Sequence, residues 1–119
     1  MKRKMIFTGA LTVMIALMLW SCSSTKLATA GVPSCILQKI DTLKTLPRSN
    51  PPIKVEEYVY NGKTAYLVTS PCCDQYNMLY NDSCEVICAP SGGLTGAGDG
   101  ACKDFSATAV FVRTVWEQK

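Results

Sequence analysis

The chain has 119 residues, of which 48% are hydrophobic and 18% charged, with seven cysteines and no histidine. This length fits one domain at most, and the lack of histidine excludes Ser-His-Asp and Cys-His catalysis as well as mixed Cys/His zinc sites. The net charge of +3 comes from Lys2, Arg3 and Lys4, because without them nine basic residues face nine acidic ones. The remainder is electrically balanced, and we therefore expect no nucleic-acid partner.

Residues 1–21 are typical of a signal peptide, with a basic start and an apolar run from Met5 to Trp20 that is too short for a membrane span of roughly 20 residues. The run ends in Leu19-Trp20-Ser21-Cys22, which resembles the lipobox of bacterial lipoproteins except that Trp20 replaces a small residue. The resemblance implies cleavage before Cys22, a diacylglycerol thioether on its sulfur, and an acyl chain such as palmitate on its amine. Ordinary secretion without a lipid is the alternative.

Residues 22–33 are small and polar, and this composition predicts a flexible tether. Residues 34–119 are then a single disulfide-rich domain. We expect it to lie in the bacterial cell envelope, held to a membrane by its N-terminal lipid and facing the periplasm or the exterior.

Six cysteines remain once Cys22 is assigned to the lipid. An even number in a small exported domain predicts three disulfides, each adding about 2–4 kcal/mol, with the pairing left open. On extended chain, Cys72 and Cys73 face opposite ways and are expected to bridge to two different elements, with a vicinal bridge as the alternative. Cys84 and Cys88, if on one strand, lie too far apart to bridge each other. The spacings do not fit the paired knuckles of a zinc site, and we expect no metal and no cofactor. The predicted disulfide set is Cys35, Cys72, Cys73, Cys84, Cys88 and Cys102.

The element pattern predicts an α+β domain, with one N-terminal helix packed on a small antiparallel sheet of about four strands. Ser34 is the predicted N-cap of a helix that starts at Cys35 and stops before Pro47. Its predicted apolar face consists of Ile36, Ile40 and Leu43, with Leu37 and Leu46 beside it. Lys39 intrudes on the apolar face of this helix and would have to extend towards solvent.

Asn61-Gly62, between two alternating segments, predicts a hairpin in which Tyr60 pairs with Lys63. One face of this hairpin is the predicted core side, and the other is an exposed amphipathic face around Tyr58 and Tyr60. Further along, residues 75–80 are expected to form a helical turn, 85–89 a short strand, and 109–116 a final strand, with a helix as the alternative for the last. The predicted core residues of the hairpin are Ile53, Val55, Val59, Tyr66 and Val68.

Residues 90–100 hold five of the eight glycines and are the candidate binding loop. A phosphate-binding loop would end in Gly-Lys-Ser/Thr, and an EF-hand would need alternating acidic residues, neither of which is present. A tight connection that uses positive φ angles is the stronger interpretation. The candidate binding residues are Gly92, Gly93, Thr95, Gly96, Gly98, Asp99 and Gly100.

Four segments together resemble a domain-of-unknown-function family of small bacterial lipoproteins. They are Cys72-Cys73-Asp74, Leu79-Tyr80, the glycine-rich segment 88–105 and Val115-Trp116. The resemblance implies export, a lipid anchor and a cysteine framework, but no established activity and no catalytic residue. Lys103 stands where proline is expected.

The sequence thus favours a non-catalytic binding or structural module of the envelope, whose partner is an envelope protein. Binding is expected first at the glycine-rich loop around Thr95 and Asp99, and next at the face around Tyr58 and Tyr60. The favoured alternative for these tyrosines is that they cover the sheet or contact another part of the chain. One alternative is a thiol-disulfide exchange protein that uses Cys72 and Cys73, although Asp74 would raise rather than lower the thiol pKa. The other is a protein inhibitor that presents the glycine-rich loop to an enzyme.

Overall fold

A computed structural model describes residues 29–72 and 74–119. The predicted signal peptide, the lipidation site Cys22, most of the predicted tether and Cys73 lie outside the described residues. In chain order the elements are helix α1 (Ser34–Leu43), strands β1 (Lys54–Tyr60), β2 (Lys63–Val68), β3 (Tyr76–Tyr80) and β4 (Val86–Gly92), helix α2 (Phe105–Thr108) and strand β5 (Val110–Glu117). The strands form one antiparallel sheet in the order β4-β3-β2-β1-β5. The α+β class is confirmed.

Helix α1 lies on one face of the sheet and buries Ile36 and Ile40 against it. It begins one residue earlier than predicted, at Ser34, and the carbonyl of Pro33 accepts the first helical hydrogen bonds. The prediction that Ser34 is the N-cap was therefore wrong, because proline already supplies the extended conformation that a cap residue needs. The Lys39 ammonium lies 4.3 Å from the centre of the Tyr80 ring, a cation–π contact that accommodates it beside the apolar face.

The β1–β2 hairpin has the predicted register, with Tyr60 opposite Lys63. Asn61 and Gly62 both have positive φ angles, 50° and 75°, as a two-residue turn that follows the twist of the strands requires. Local sequence was sufficient here because the turn alone sets the pairing.

The sheet has five strands rather than about four. The segment predicted as a helical turn is strand β3, which lies between β2 and β4 and pairs Tyr80 with Tyr66 and Leu79 with Cys88. Leu79 is fully buried. Six residues carry too little periodicity to distinguish a turn from a strand, and the backbone partners that decide the matter lie outside the segment, in the neighbouring strands β2 and β4.

Both faces of the sheet are covered, so the face around Tyr58 and Tyr60 is not the exposed face of the first expectation but contacts another part of the chain, as its alternative predicted. Phe105 of α2 packs against the rings of Tyr58 and Tyr60, at centroid distances of 5.1 and 5.3 Å. Tyr60 is consequently only 7% exposed, whereas Val59, a predicted core residue, is 39% exposed and belongs to neither core cluster. The α1 side buries Val32, Ile36, Ile40, Val55, Tyr66 and Val115, and the α2 side buries Tyr60, Ala65, Leu79, Cys88, Cys102 and Phe105.

Two disulfides tie these layers together. Cys35 of α1 is bonded to Cys84 in the turn after β3, and Cys88 of β4 is bonded to Cys102 ahead of α2. Within the described residues these are the two bridges. Cys73 lies outside those residues, and the expectation that Cys72 and Cys73 bridge to two different elements stays a prediction. Within residues 29–72 and 74–119, no helix is both long enough and apolar enough to span a bilayer.

Candidate functional site: the glycine-rich loop

The glycine-rich loop leaves β4 and folds back over it. All five of its glycines have positive φ angles, from 75° at Gly93 to 83° at Gly92, a conformation that side chains disfavour. Its amides bond within the fold, since Gly98 N–H donates to the Gly92 carbonyl at 3.0 Å and Gly93 N–H donates to the Gln75 carbonyl at 2.9 Å. The loop is therefore an ordered structure rather than a flexible connection.

Gly98 marks the closest approach of the loop to β4. A Cβ atom at this position would lie 2.7 Å from the carbonyl carbon of Pro90 and 2.8 Å from the nitrogen of Ser91, and still closer to the carbonyl oxygen of Ala89. Gly96, in contrast, has no such neighbour within 4 Å. Glycine at Gly98 is thus required by backbone packing, whereas Gly96 lies in open space.

Asp99 holds the end of the glycine-rich loop against strand β4. One carboxylate oxygen accepts the Ala89 N–H at 2.9 Å and the other accepts the Ala101 N–H at 2.8 Å. These backbone N–H groups, led by that of Ala101, hold the pKa of Asp99 below its ordinary value. The carboxylate is therefore charged at neutral pH and links two backbone segments, which gives it a structural role. Its predicted role in binding stays a prediction.

Leu94, at the apex of the loop, is the residue that the sequence interpretation missed. Its side chain is 88% exposed, more than any other large apolar side chain of the described residues. The neighbouring Thr95 hydroxyl accepts a long hydrogen bond of 3.4 Å from the Ala97 N–H. The sequence did contain a signal for Leu94, because it is a large apolar residue among four small loop neighbours. The structure shows that no described part of the chain covers its side chain.

The loop also contacts the segment that carries Cys72. The Gln75 N–H donates to the Cys72 carbonyl at 3.1 Å, and the Gln75 carbonyl accepts from Gly93. Cys72 is exposed and lines, together with Gln75 and Gly92, a small cleft of about 200 Å³. The structure thus places Cys72 beside the candidate binding loop at Gly92. Cys73 lies outside the described residues.

A larger cleft of about 670 Å³ opens between the β1–β2 turn and the β3–β4 turn. Two of its polar side chains take part in the fold, since Tyr60 donates to the Asp104 carboxylate at 2.7 Å and Asn81 bonds to the backbone and side chain of Glu85. The Asp104 hydrogen bond raises the pKa of Tyr60, which therefore stays protonated at neutral pH. The cleft is lined by Tyr60, Asn61, Lys63, Thr64, Asn81, Asp82 and Ile87.

Neither cleft holds a metal centre in the described part of the chain, where no three cysteine or carboxylate side chains converge on one point. The glycine-rich loop itself presents one apolar side chain, Leu94, to solvent on a backbone held by hydrogen bonds.

Comparison with known proteins gives one match. No curated protein and no solved structure is significantly similar to the chain. A family model described as a domain of unknown function (DUF6970) matches residues 41–118, a range that covers all five strands and the whole glycine-rich loop. The chain therefore belongs to this family of unknown function.

Proposed function

We propose that the protein is an exported, lipid-anchored, non-catalytic binding module of the bacterial cell envelope. The signal-peptide pattern and the lipobox resemblance of residues 19–22 support export and anchoring. The two disulfides support an oxidising compartment outside the cytoplasm, because such bonds are rare where thiols are kept reduced.

The exposure of Leu94 is the observation that carries the binding role. Full burial of a leucine side chain in a partner's pocket contributes about 1.5–3 kcal/mol. The loop is fixed in advance by the Cys88–Cys102 bridge, by the Asp99 carboxylate and by its own backbone hydrogen bonds. Little conformational entropy is then lost on binding. The partner is an envelope protein with an apolar pocket that accepts the apex of the loop.

The same geometry supports a second candidate function, that of a protein inhibitor. A disulfide-braced loop with one protruding apolar side chain can occupy the specificity pocket of an enzyme without being a substrate itself. Residues 93–95 would enter that pocket, and the enzyme would be the partner found in the binding experiment.

The anchor is tested by cell fractionation of the full chain. We expect the wild-type protein to sediment with membranes and to resist extraction by high salt, because acyl chains rather than charges hold it. Cys22→Ala removes the thiol that would carry the lipid, and we expect it to move to the soluble exported fraction or to retain its uncleaved signal. Wild-type protein in the soluble fraction, with no added lipid mass, would contradict the anchor.

Binding is tested with a photoreactive amino acid in place of Thr95, next to the apex. We expect irradiation of intact cells to give one discrete adduct, and Leu94→Asp to reduce it at least tenfold, because a carboxylate cannot enter an apolar pocket without desolvation. Val86→Asp, at another exposed apolar position on β4, is the matched control and should leave the adduct unchanged. An adduct that survives Leu94→Asp would place recognition elsewhere.

A further inference from the structure

Strand β5 forms one edge of the sheet and pairs, among the described strands, with β1. Its first three residues are large and apolar, and all are exposed: Val110 by 62%, Phe111 by 53% and Val112 by 46%. An edge strand of this kind presents backbone N–H and C=O groups beside apolar side chains, which is the surface that another strand recognises.

The opposite edge of the sheet is protected, so the two edges are not equivalent. Strand β4 contains Pro90, and the glycine-rich loop folds back over it through a Gly92–Ala97 bridge and a 2.9 Å hydrogen bond from Asp99 N–H to the Ala89 carbonyl. Proline and a covering loop are the usual means of blocking an edge. No described element covers β5 in this way.

We propose that β5 is the interface with a second copy of this chain, paired antiparallel about a two-fold axis close to Phe111. This pairing is self-complementary, because Val110 of each copy lies opposite Val112 of the other and the two Phe111 residues face each other. It also places the apolar segment of each copy against the same segment of the other, which removes both from water.

The charge pattern of β5 favours this register. The segment from Ala109 to Val112 carries no charge, and Arg113 lies opposite Ala109 of the other copy. The Arg113 guanidinium is held 2.7 Å from the Glu57 carboxylate and 2.7 Å from the Ala30 carbonyl. A register centred on Arg113 itself would instead oppose two like charges, which is unfavourable.

The position of Ala30 makes the pairing compatible with a membrane anchor. Arg113 lies opposite Glu57, on the sheet face that packs against α1, and it binds Ala30, eight residues after Cys22. A two-fold axis perpendicular to the sheet keeps both α1 helices on one face of the resulting ten-stranded sheet. Both chains would therefore lead towards their proposed anchors from the same face, so that one bilayer could hold the two copies.

A register shift on β5 limits the extent of the interface. The pairing with β1 moves from Arg113 directly to Phe111 and passes over Val112, and such a bulge increases the local twist of an edge. The contact is therefore expected to involve about five residues of each copy, and to depend strongly on the apolar side chains at its centre.

Disulfide trapping in membranes tests the inference on the full chain. Phe111→Cys places two thiols on the two-fold axis, where opposed residues are about 4.5–5.5 Å apart, and mild oxidation should convert most of the protein to a covalent dimer. Leu94→Cys, a more exposed position away from the edge, is the matched control and should give at least fivefold less dimer. Equal trapping at both positions, or trapping of Phe111→Cys onto a different protein, would overturn the proposal.

A second measurement avoids dependence on an engineered thiol. Light scattering of the detergent-extracted wild-type protein should show a concentration-dependent dimer, and the double variant Val110→Lys, Val112→Lys should be monomeric because four lysines would meet at the interface. Wild-type protein that is monomeric at every concentration would also overturn the inference. Leu94→Asp should leave the dimer intact, so that failure of the proposed partner binding is distinguishable from failure of self-association.

Discussion

Gly98→Ala is expected to destabilise the domain by about 3–5 kcal/mol. Part of the loss, about 1–2 kcal/mol, is the cost of placing a side chain at a φ of +76°, which alanine disfavours. The larger part comes from overlap of the new Cβ with backbone atoms of Ala89, Pro90 and Ser91, which cannot rotate away as a flexible side chain would. The Gly98–Gly92 hydrogen bond and the Asp99 contacts would be displaced together with this backbone.

Gly96→Ala is the matched control, because Gly96 has nearly the same φ, +77°, but no such atom within 4 Å of its Cβ position. We expect this variant to lose only the backbone contribution, about 1–2 kcal/mol. Urea unfolding of both variants beside the wild type measures the difference. Equal losses at the two positions would show that the loop does not pack on β4 as closely as the structure indicates.

The parts of the fold that follow from short stretches of sequence were predicted well. The Asn61-Gly62 turn specifies the β1–β2 register by itself, and the clustered glycines predict the positive φ angles that the loop adopts. In both cases the backbone conformation is favoured by the residues that adopt it, so it can be predicted without knowledge of contacts from elsewhere in the chain.

The parts that depend on contacts outside the segment itself were not predicted. Strand β3 is a strand because β2 and β4 lie on either side of it, and the Tyr60 face is buried because Phe105, far along the chain, packs on it. The bridge partners of Cys35 and Cys84 are likewise chosen by the docking of α1 on the sheet. The residue pattern within one strand or helix does not identify the other elements that it will contact.

The glycine-rich loop was singled out from the sequence alone, but the contacts that hold it in place were not predicted. The candidate Asp99 is occupied with holding the loop in place, while Leu94 was overlooked because large apolar residues are usually buried. The exposure of Leu94 depends on how the loop folds, and it can be recognised only when the path of the backbone around Gly92 and Gly98 is known.

Removal of the Cys35–Cys84 bridge is the second substitution with a large expected effect. The bonded residues are 49 positions apart, and closing a loop of that length in the unfolded chain corresponds to about 4 kcal/mol by the chain-entropy relation. Cys35→Ala, Cys84→Ala should therefore lower the free energy of unfolding by about 4 kcal/mol. That is a large part of the stability of a small domain.

The Cys35–Cys84 bridge is expected to act mainly by restricting the unfolded chain, and this can be distinguished by the dependence of unfolding on denaturant. Because the chain without the bridge expands further on unfolding, the denaturant slope should rise as the midpoint falls. Cys35→Ala alone should cost nearly as much as the double variant, since either substitution opens the bond. Cys88→Ala, Cys102→Ala removes the bridge across a shorter separation of 14 residues, for which the same relation gives about 3 kcal/mol. Both cysteines are buried, however, and their loss also removes core contacts. This second pair should therefore show the smaller rise in slope, and an unchanged slope for the first pair would mean that the bridge acts through contacts in the folded state.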